Sequence, residues 1–440
     1  MPPAPRRFLF ATWEGGGHVP PMLELAGRLQ ARGHAVLILS DEANRPDAAA
    51  RDLPFAPWSR APNRPDKRAE SDPVREWAAE TPVEVLSRLL DGVIAGPALA
   101  YARDLIEVAA QFAPDAVVAN ELLFGAMAGA EKLGLPLALF TTNVWSFPDP
   151  LDQPPFGTGF PPAENDEDRQ RDAAVRQVTR MLFDGGRPAL SAAREALGLP
   201  PVAHLLDQLE AAELVLMGVS RAWDFPTASP PPARFHYVGP IVGDPDWTAP
   251  WRSPWPEDDT RRLVVVSFST FFQGQTDVLS RCIAALEPLP VRAVVTLGPA
   301  LEPDAFPAPA NVLVVKSASH DALIPQASLL ISHAGHGTAL RAIRHGVPVI
   351  ALPMGRDQAD NAARIVQRGA GLRLDPASGA EAIRAAASTV LEDRGFAEAA
   401  RRFGRAIAEA NDEDPVALLE ALSSGGMVGG EGFEPPTPSV

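Results

Sequence analysis

The chain of 440 residues is 46% hydrophobic and carries a formal charge of −16. That length predicts two or three domains, and the acidic balance argues against a nucleic-acid partner and against docking on an anionic membrane surface. A single cysteine, Cys282, excludes an internal disulfide framework and points to a reducing, cytoplasmic setting, and no apolar run approaches the roughly 20 residues of a membrane span.

Taken in order, residues 8–12 read as a first strand rather than a signal peptide, since the apolar run behind Arg6 and Arg7 is short. Glu14-Gly-Gly-Gly-His18 follows, then a helix with Leu23, Ala26 and Leu29 on one face and Gly33 as its stop. Residues 35–40 form the second strand, ending at Asp41-Glu42. A strand, a glycine turn, a helix and a following acid invite a dinucleotide-binding reading, but Pro20 stands where the third glycine would allow close helix–strand packing. Residues 51–79 read as loop and 84–110 as helix with a gap at Gly96-Pro97. A strand at 116–119 closes on Asn120-Glu121, a helix covers 122–133, and a strand at 136–140 ends in Thr141-Thr142-Asn143. The aromatic, proline-rich stretch 145–168 is long enough to be functional; Trp145, Phe147, Phe156 and Phe160 either line an apolar acceptor site or cover the core. A broken helix over 173–197 and a strand at 213–218 complete a domain over residues 1–225.

Residues 226–256, rich in proline, are read as the interdomain linker. The same grammar then resumes over 257–424: strands at 263–270, 291–297, 312–315, 329–331 and 347–352, and helices at 380–391, 396–409 and 414–422. Residues 425–440 have the composition of a disordered tail. Strands alternating with helices predict an α/β fold with parallel, doubly wound sheets, and ligands in such sheets sit at strand C-termini, often between domains.

The second domain holds the most informative stretch. Leu329, Leu330 and Ile331 make a buried strand, and Ser332-His333-Ala334-Gly335-His336-Gly337-Thr338 turns into a helix. A small-residue turn opening a helix offers free N–H groups and a positive dipole end, a site for a phosphate. His333 and Thr338 add side-chain donors. After the next strand, Asp357 and Gln358 stand where a carboxylate and an amide could read a sugar carried by that phosphate. In the first domain His18 lies at a strand-to-helix turn, and an imidazole can take a hydroxyl proton near neutral pH. A metal is not expected. His333 and His336 lack a third ligand, and Asp166-Glu167-Asp168 and Asp244-Pro245-Asp246 lie in loops without a preceding apolar strand.

His333-Ala-Gly-x-Gly-Thr338, then Gly346-Val-Pro348, then Asp357-Gln358, resembles the donor-binding signature of the GT-B glycosyltransferases of family one. The resemblance implies two Rossmann-like doubly wound parallel-sheet domains facing a cleft, with a small, apolar acceptor in the N-terminal half. A UDP- or dTDP-type nucleotide sugar would occupy the C-terminal half, with no cofactor or metal. It implies His18 as the base for a direct, inverting transfer to a hydroxyl. The family's aspartate partner is replaced here by Asn120, beside Glu121. Thr270, His333, Gly335, Gly337 and Thr338 would hold the diphosphate, Asp357 and Gln358 the sugar, and Thr142, Trp145 and Phe147 the acceptor. The family's base-stacking segment aligns with Ser317-Ala-Ser319 and its ribose-binding glutamate with Arg341. Two alternatives share the fold: a sugar-nucleotide epimerase and a catalytically silent auxiliary partner.

Overall fold

The computed structural model describes residues 4–147, 150–242, 244, 248–269 and 271–425. Thr270 and residues 426–440, expected near the phosphates and as a tail respectively, lie outside the described residues.

The first domain is built on a seven-stranded sheet: β1 (Arg7–Ala11), β2 (Ala35–Ser40), β3 (Phe55–Pro57), β4 (Ala116–Asn120), β5 (Leu137–Thr141), β6 (Leu214–Met217) and β7 (Phe235–Tyr237). Their spatial order is β3-β2-β1-β4-β5-β6-β7, with every pair parallel. The second sheet orders β10-β9-β8-β11-β12-β13, again all parallel. Its strands are β8 (Arg262–Ser267), β9 (Val291–Thr296), β10 (Val312–Val315), β11 (Leu329–Ser332), β12 (Val349–Ala351) and β13 (Gly371–Arg373). The central strands are apolar runs because both faces are covered. Phe8 and Phe10 point into one core with Leu23, Leu25 and Leu29 of α1 (Val19–Ala31), while Leu9 and Ala11 point into the other.

In each sheet the strand order reverses beside the first strand of the domain, between β1 and β4 and between β8 and β11. Such switch points open a crevice at the strand C-termini. The turn carrying His18 leaves β1 and the turn carrying His333 leaves β11, so each candidate residue borders its domain's crevice.

Three strands were not legible in advance: β3, β7 and β13, each of three residues. β3 lies inside the stretch read as loop, and β7 inside the stretch read as linker. The helix expected from 173 begins earlier, as α2 (Asp166–Phe183), capped by the Asn165 side chain on the N–H of Asp168. The remaining helices needed below are α3 (His336–Arg344), α4 (Gln358–Gln367) and α5 (Pro415–Ser423). α5 crosses back: Val416, Leu419 and Leu422 enter the first domain's core, and Arg32 and His34 pair with Glu420. One apolar cluster runs from the first sheet through Trp223 to Ala339 and Phe403, so the two domains share a core at their seam.

Candidate active site

The crevice after β1 is organised by Trp13. Its carbonyl accepts the Gly15 N–H at 3.0 Å and lies 2.9 Å from His18 Nε2. A carbonyl only accepts, so Nε2 carries the proton and Nδ1 is left as the basic nitrogen. Gly15 is needed for this turn: a Cβ there would lie 2.5 Å from the Trp13 ring and 2.8 Å from His18 Cε1. His18 stands at the N-terminus of α1 without capping it by its side chain. Burial, with a smaller contribution from the Arg356 cation, pushes the imidazole down to about 4 against the pull of the Trp13 carbonyl, so the ring is neutral at physiological pH.

Neither expected helper contacts that imidazole by hydrogen bond among the described residues. Asn120 Oδ1 accepts from the Trp13 indole N–H at 3.2 Å and from the N–H of Leu122 at 3.1 Å. Glu121 is held by Asn143 and Thr141, and burial pushes its carboxyl up to about 7, against those two bonds and with a small push from Asp357. Support for His18 comes from a backbone carbonyl instead. Asp41, the acid a dinucleotide site would need, is occupied: it accepts from the N–H groups of Glu14 at 2.7 Å and Arg64 at 2.5 Å.

In the second domain, β11 ends in a turn whose Ala334 is left-handed, φ 63°. Gly335 precedes α3, so the free N–H groups of His336, Gly337 and Thr338 form its first turn. His333 is buried, stacked 6.0 Å from Phe268, and its Nδ1 has no hydrogen-bond partner among the described residues. Burial first, then Arg356, lowers its pKa to about 4, against the pull of the Ser267 backbone. A Cβ on Gly335 would come within 2.2 Å of His333 Nε2, so the turn closes only around a glycine. His336 faces the seam rather than the turn, edge-on to Trp223 at 5.8 Å, and burial lowers it to about 4 as well.

Asp357 accepts from Asn361 Nδ2 at 2.7 Å, and burial raises its carboxyl. Gln358 accepts from the Met354 N–H at 2.7 Å and donates to Gln273 at 3.0 Å. Arg356, just before this pair, reaches into the other domain. It grips Glu76 with two hydrogen bonds, of 2.9 and 2.6 Å, and the Gly15 carbonyl at 2.8 Å. Further along α4, Asp360 accepts from the N–H groups of Gly157 and Gly159, and Arg364 pairs with Asp224 at 2.5 Å.

Comparison with known proteins bears on the family and the fold. Residues 280–422 match the family model described as erythromycin biosynthesis protein CIII-like, C-terminal domain. The chain is 31% identical over 428 residues to 4'-demethylrebeccamycin synthase of Lentzea aerocolonigenes, covering 94% of this chain and 99% of that one. It is 29% identical over 402 residues to demethyllactenocin mycarosyltransferase of Streptomyces fradiae, covering 87% and 79%. The chain belongs to the GT-B glycosyltransferases of natural-product biosynthesis. The glycosyltransferase VinC, solved in complex with DTDP, shares the fold with a TM-score of 0.64 at 22% identity, over 96% of this chain and all of that one.

For this glycosyltransferase the resemblance in sequence and the fold therefore agree, and the epimerase and silent-partner readings find no counterpart among these relatives. Several residues stand differently from expectation. Arg341, read as a solvated position or a contact to ribose, is buried and paired with Asp321 at 2.6 Å and Asp244 at 3.6 Å. Asp244 accepts from Ser319 Oγ and from the N–H groups of His320 and Asp321, at the start of a short helix. Asp166 and Asp168 lie in the first turn of α2 and pair with Arg169 and Arg171. Ser317 and Ser319 are bound to Ala249, in the stretch read as the linker. Trp145 is only 8% exposed and packs against Phe235, on the core side of its loop, whereas Phe147 is half-buried against Phe156 and Phe183. Thr142 is half-buried at the end of β5, next to Asn143. Sequence reasoning did not assign Trp13, Glu76 or Arg356; only the adjacency of Arg356 to Asp357 hinted at a site.

Proposed function

We propose that this glycosyltransferase moves a sugar from a UDP- or dTDP-type nucleotide sugar to a hydroxyl of a small, apolar acceptor, by inverting displacement without a metal. The observation that carries the reading is the pair of turns at the C-terminal ends of β1 and β11, with a neutral imidazole on one and a helix N-terminus on the other. His18 Nδ1 takes the acceptor's proton as its oxygen attacks the anomeric carbon. The bond to the diphosphate breaks on the opposite face, and the departing charge falls on the N–H groups at the start of α3, Thr338 and His333. Asp357 and Gln358 hold sugar hydroxyls. Phe147 and its aromatic neighbours, with Thr142, give the acceptor its apolar surface. Metal independence is supported by the two Asp-x-Asp motifs, whose described carboxylates are engaged in helix starts and ion pairs.

A cytoplasmic site of action suits Cys282, buried in the second domain's core with its thiol pushed up to about 12. No helix among the described residues is long and apolar enough to cross a membrane. The test is a thermal-shift screen of nucleoside diphosphates and their sugars, followed by turnover with apolar phenolic or alcoholic acceptors. UDP or dTDP forms should raise the melting temperature and yield glycoside of inverted anomeric configuration. A retained configuration, or stabilisation by dinucleotides alone, would overturn the reading.

A further inference from the structure

Arg356 does not belong to the donor signature, and the catalytic reading above makes no use of its contacts. Its backbone is left-handed, φ 55°, which a non-glycine residue adopts at a cost. That conformation stands immediately before Asp357, and its side chain leaves the donor domain. The guanidinium lies over the Phe271 ring at 4.9 Å and spends three N–H groups on the other domain: two on Glu76 and one on the Gly15 carbonyl. Glu76 is buried in a short helical turn of the first domain, in the 69–78 segment.

Gly15 passes this grip to the base. Its N–H is bonded to the Trp13 carbonyl, the same oxygen that holds His18 Nε2, and its Cα abuts the His18 ring so closely that no side chain fits between them. The contacts thus form a continuous path from the sugar-reading pair, through Arg356 and Gly15, to the atom that sets the imidazole's tautomer. We propose that Arg356 is a positioning residue that locks the His18 turn to the Asp357–Gln358 loop, so that the base is set for proton transfer when the donor-carrying domain is docked.

This inference rests on His18 as the base, and it makes a claim about the imidazole that can be read without turnover. The forked geometry distinguishes it from a general electrostatic effect, because a lysine supplies charge without the fork. The experiment labels the histidines of the full chain with ¹⁵N and assigns the His18 ring signals by their loss in His18→Ala. In the wild-type chain Nε2 should be protonated and Nδ1 bare. In Arg356→Ala the ring should exchange between tautomers and its titration midpoint should rise, as loss of a neighbouring cation requires. In Arg356→Lys the tautomers should still mix while the midpoint stays low. Glu76→Gln, which keeps Arg356 but weakens one arm of the grip, should mix the tautomers to a smaller extent.

In turnover, both Arg356 variants should lose roughly tenfold or more in kcat with donor KM nearly unchanged, as expected for a misplaced base. A folded Arg356→Ala chain whose His18 keeps one tautomer, or full recovery by Arg356→Lys, would overturn the proposal. Should no nucleotide sugar be turned over at all, the transfer reading would fail while the ring signals still decide the clasp. Should Arg356→Ala not fold, Arg356→Lys and Glu76→Gln carry the same test.

Discussion

The crevices after β1 and after β11 share one architecture, a parallel switch point with a turn leaving its central strand, and in each a backbone group meets the imidazole, yet the two rings differ in how deeply they are buried. His18 is half-buried, with Nε2 fixed on the Trp13 carbonyl and no hydrogen bond to Nδ1 among the described residues. His333 is buried against Phe268 with Nδ1 bonded to nothing among the described residues. Burial brings both to about 4, so both are neutral. The difference lies in burial: on the proposed reading the half-buried ring is set to accept a proton, and the buried one keeps a ring atom that a ligand oxygen or proton could satisfy. A buried polar atom without a partner is unfavourable by about 1–3 kcal/mol, a cost that binding can recover. On the proposed reading the two crevices divide the labour of transfer, one preorganised for proton removal and one for anion capture.

The comparison is broken most severely by removing the preset side. His18→Ala should lower kcat/KM by roughly 10²–10⁴, the usual range for a general base, with donor affinity measured by calorimetry unchanged. Equal loss of donor binding would mean that His18 serves the diphosphate, and the division would collapse. The pH dependence follows with a definite sign. With His18 as the proposed base, transfer needs the unprotonated ring, and burial depresses its pKa. The wild-type kcat/KM should therefore pass unchanged through the ordinary imidazole range near 6.5 and fall only as pH approaches about 4. An acid limb near 6.5 would show a solvated His18.

The donor side is tested by crowding. Gly335→Ala places a methyl carbon within 2.2 Å of His333 Nε2, and the ring, confined by Phe268, must leave its position. The φ of −58° at Gly335 is open to alanine, so the effect is steric rather than conformational. Donor affinity should weaken by roughly tenfold, equivalent to about 1.4 kcal/mol, and the His18 titration should not move. An unchanged dissociation constant would remove His333 from the donor site.

Much of this was open to reading before any coordinates. Central strands such as β1, β4, β8 and β11 are visible because burial on both faces demands uninterrupted apolar residues. The edge strands β3, β7 and β13 are too short to carry a period, and β3 ends on a proline that ladder geometry tolerates only at an edge. The turns at His18 and His333 were legible because glycines and histidines between a strand and a helix are chemically pointed. Their supports were not. A backbone carbonyl, the Trp13 oxygen that holds His18, has no residue type to betray it. The pairs Arg356–Glu76 and Arg364–Asp224 join residues 280 and 140 positions apart. Arg341 looked like a surface charge because its partners, Asp321 and Asp244, come from other elements.

The smallest expected effect sharpens the comparison from the side of the missing carboxylate. Restoring an acid by Asn120→Asp would create a charged helper if that side chain faced His18. Here Asn120 Oδ1 is taken by the Trp13 indole and the Leu122 N–H, both donors that a carboxylate accepts equally well. The substitution should leave kcat within about threefold and the acid limb in place, because it alters a group that orients Trp13 rather than the imidazole. Its cost should appear in stability instead, since Asn120 is 2% exposed and a charge there is only partly offset by two hydrogen bonds. A rate increase of tenfold with an acid limb moved upward would mean that position 120 reaches His18 during catalysis. The carbonyl-held base would then be one resting arrangement of a more ordinary pair.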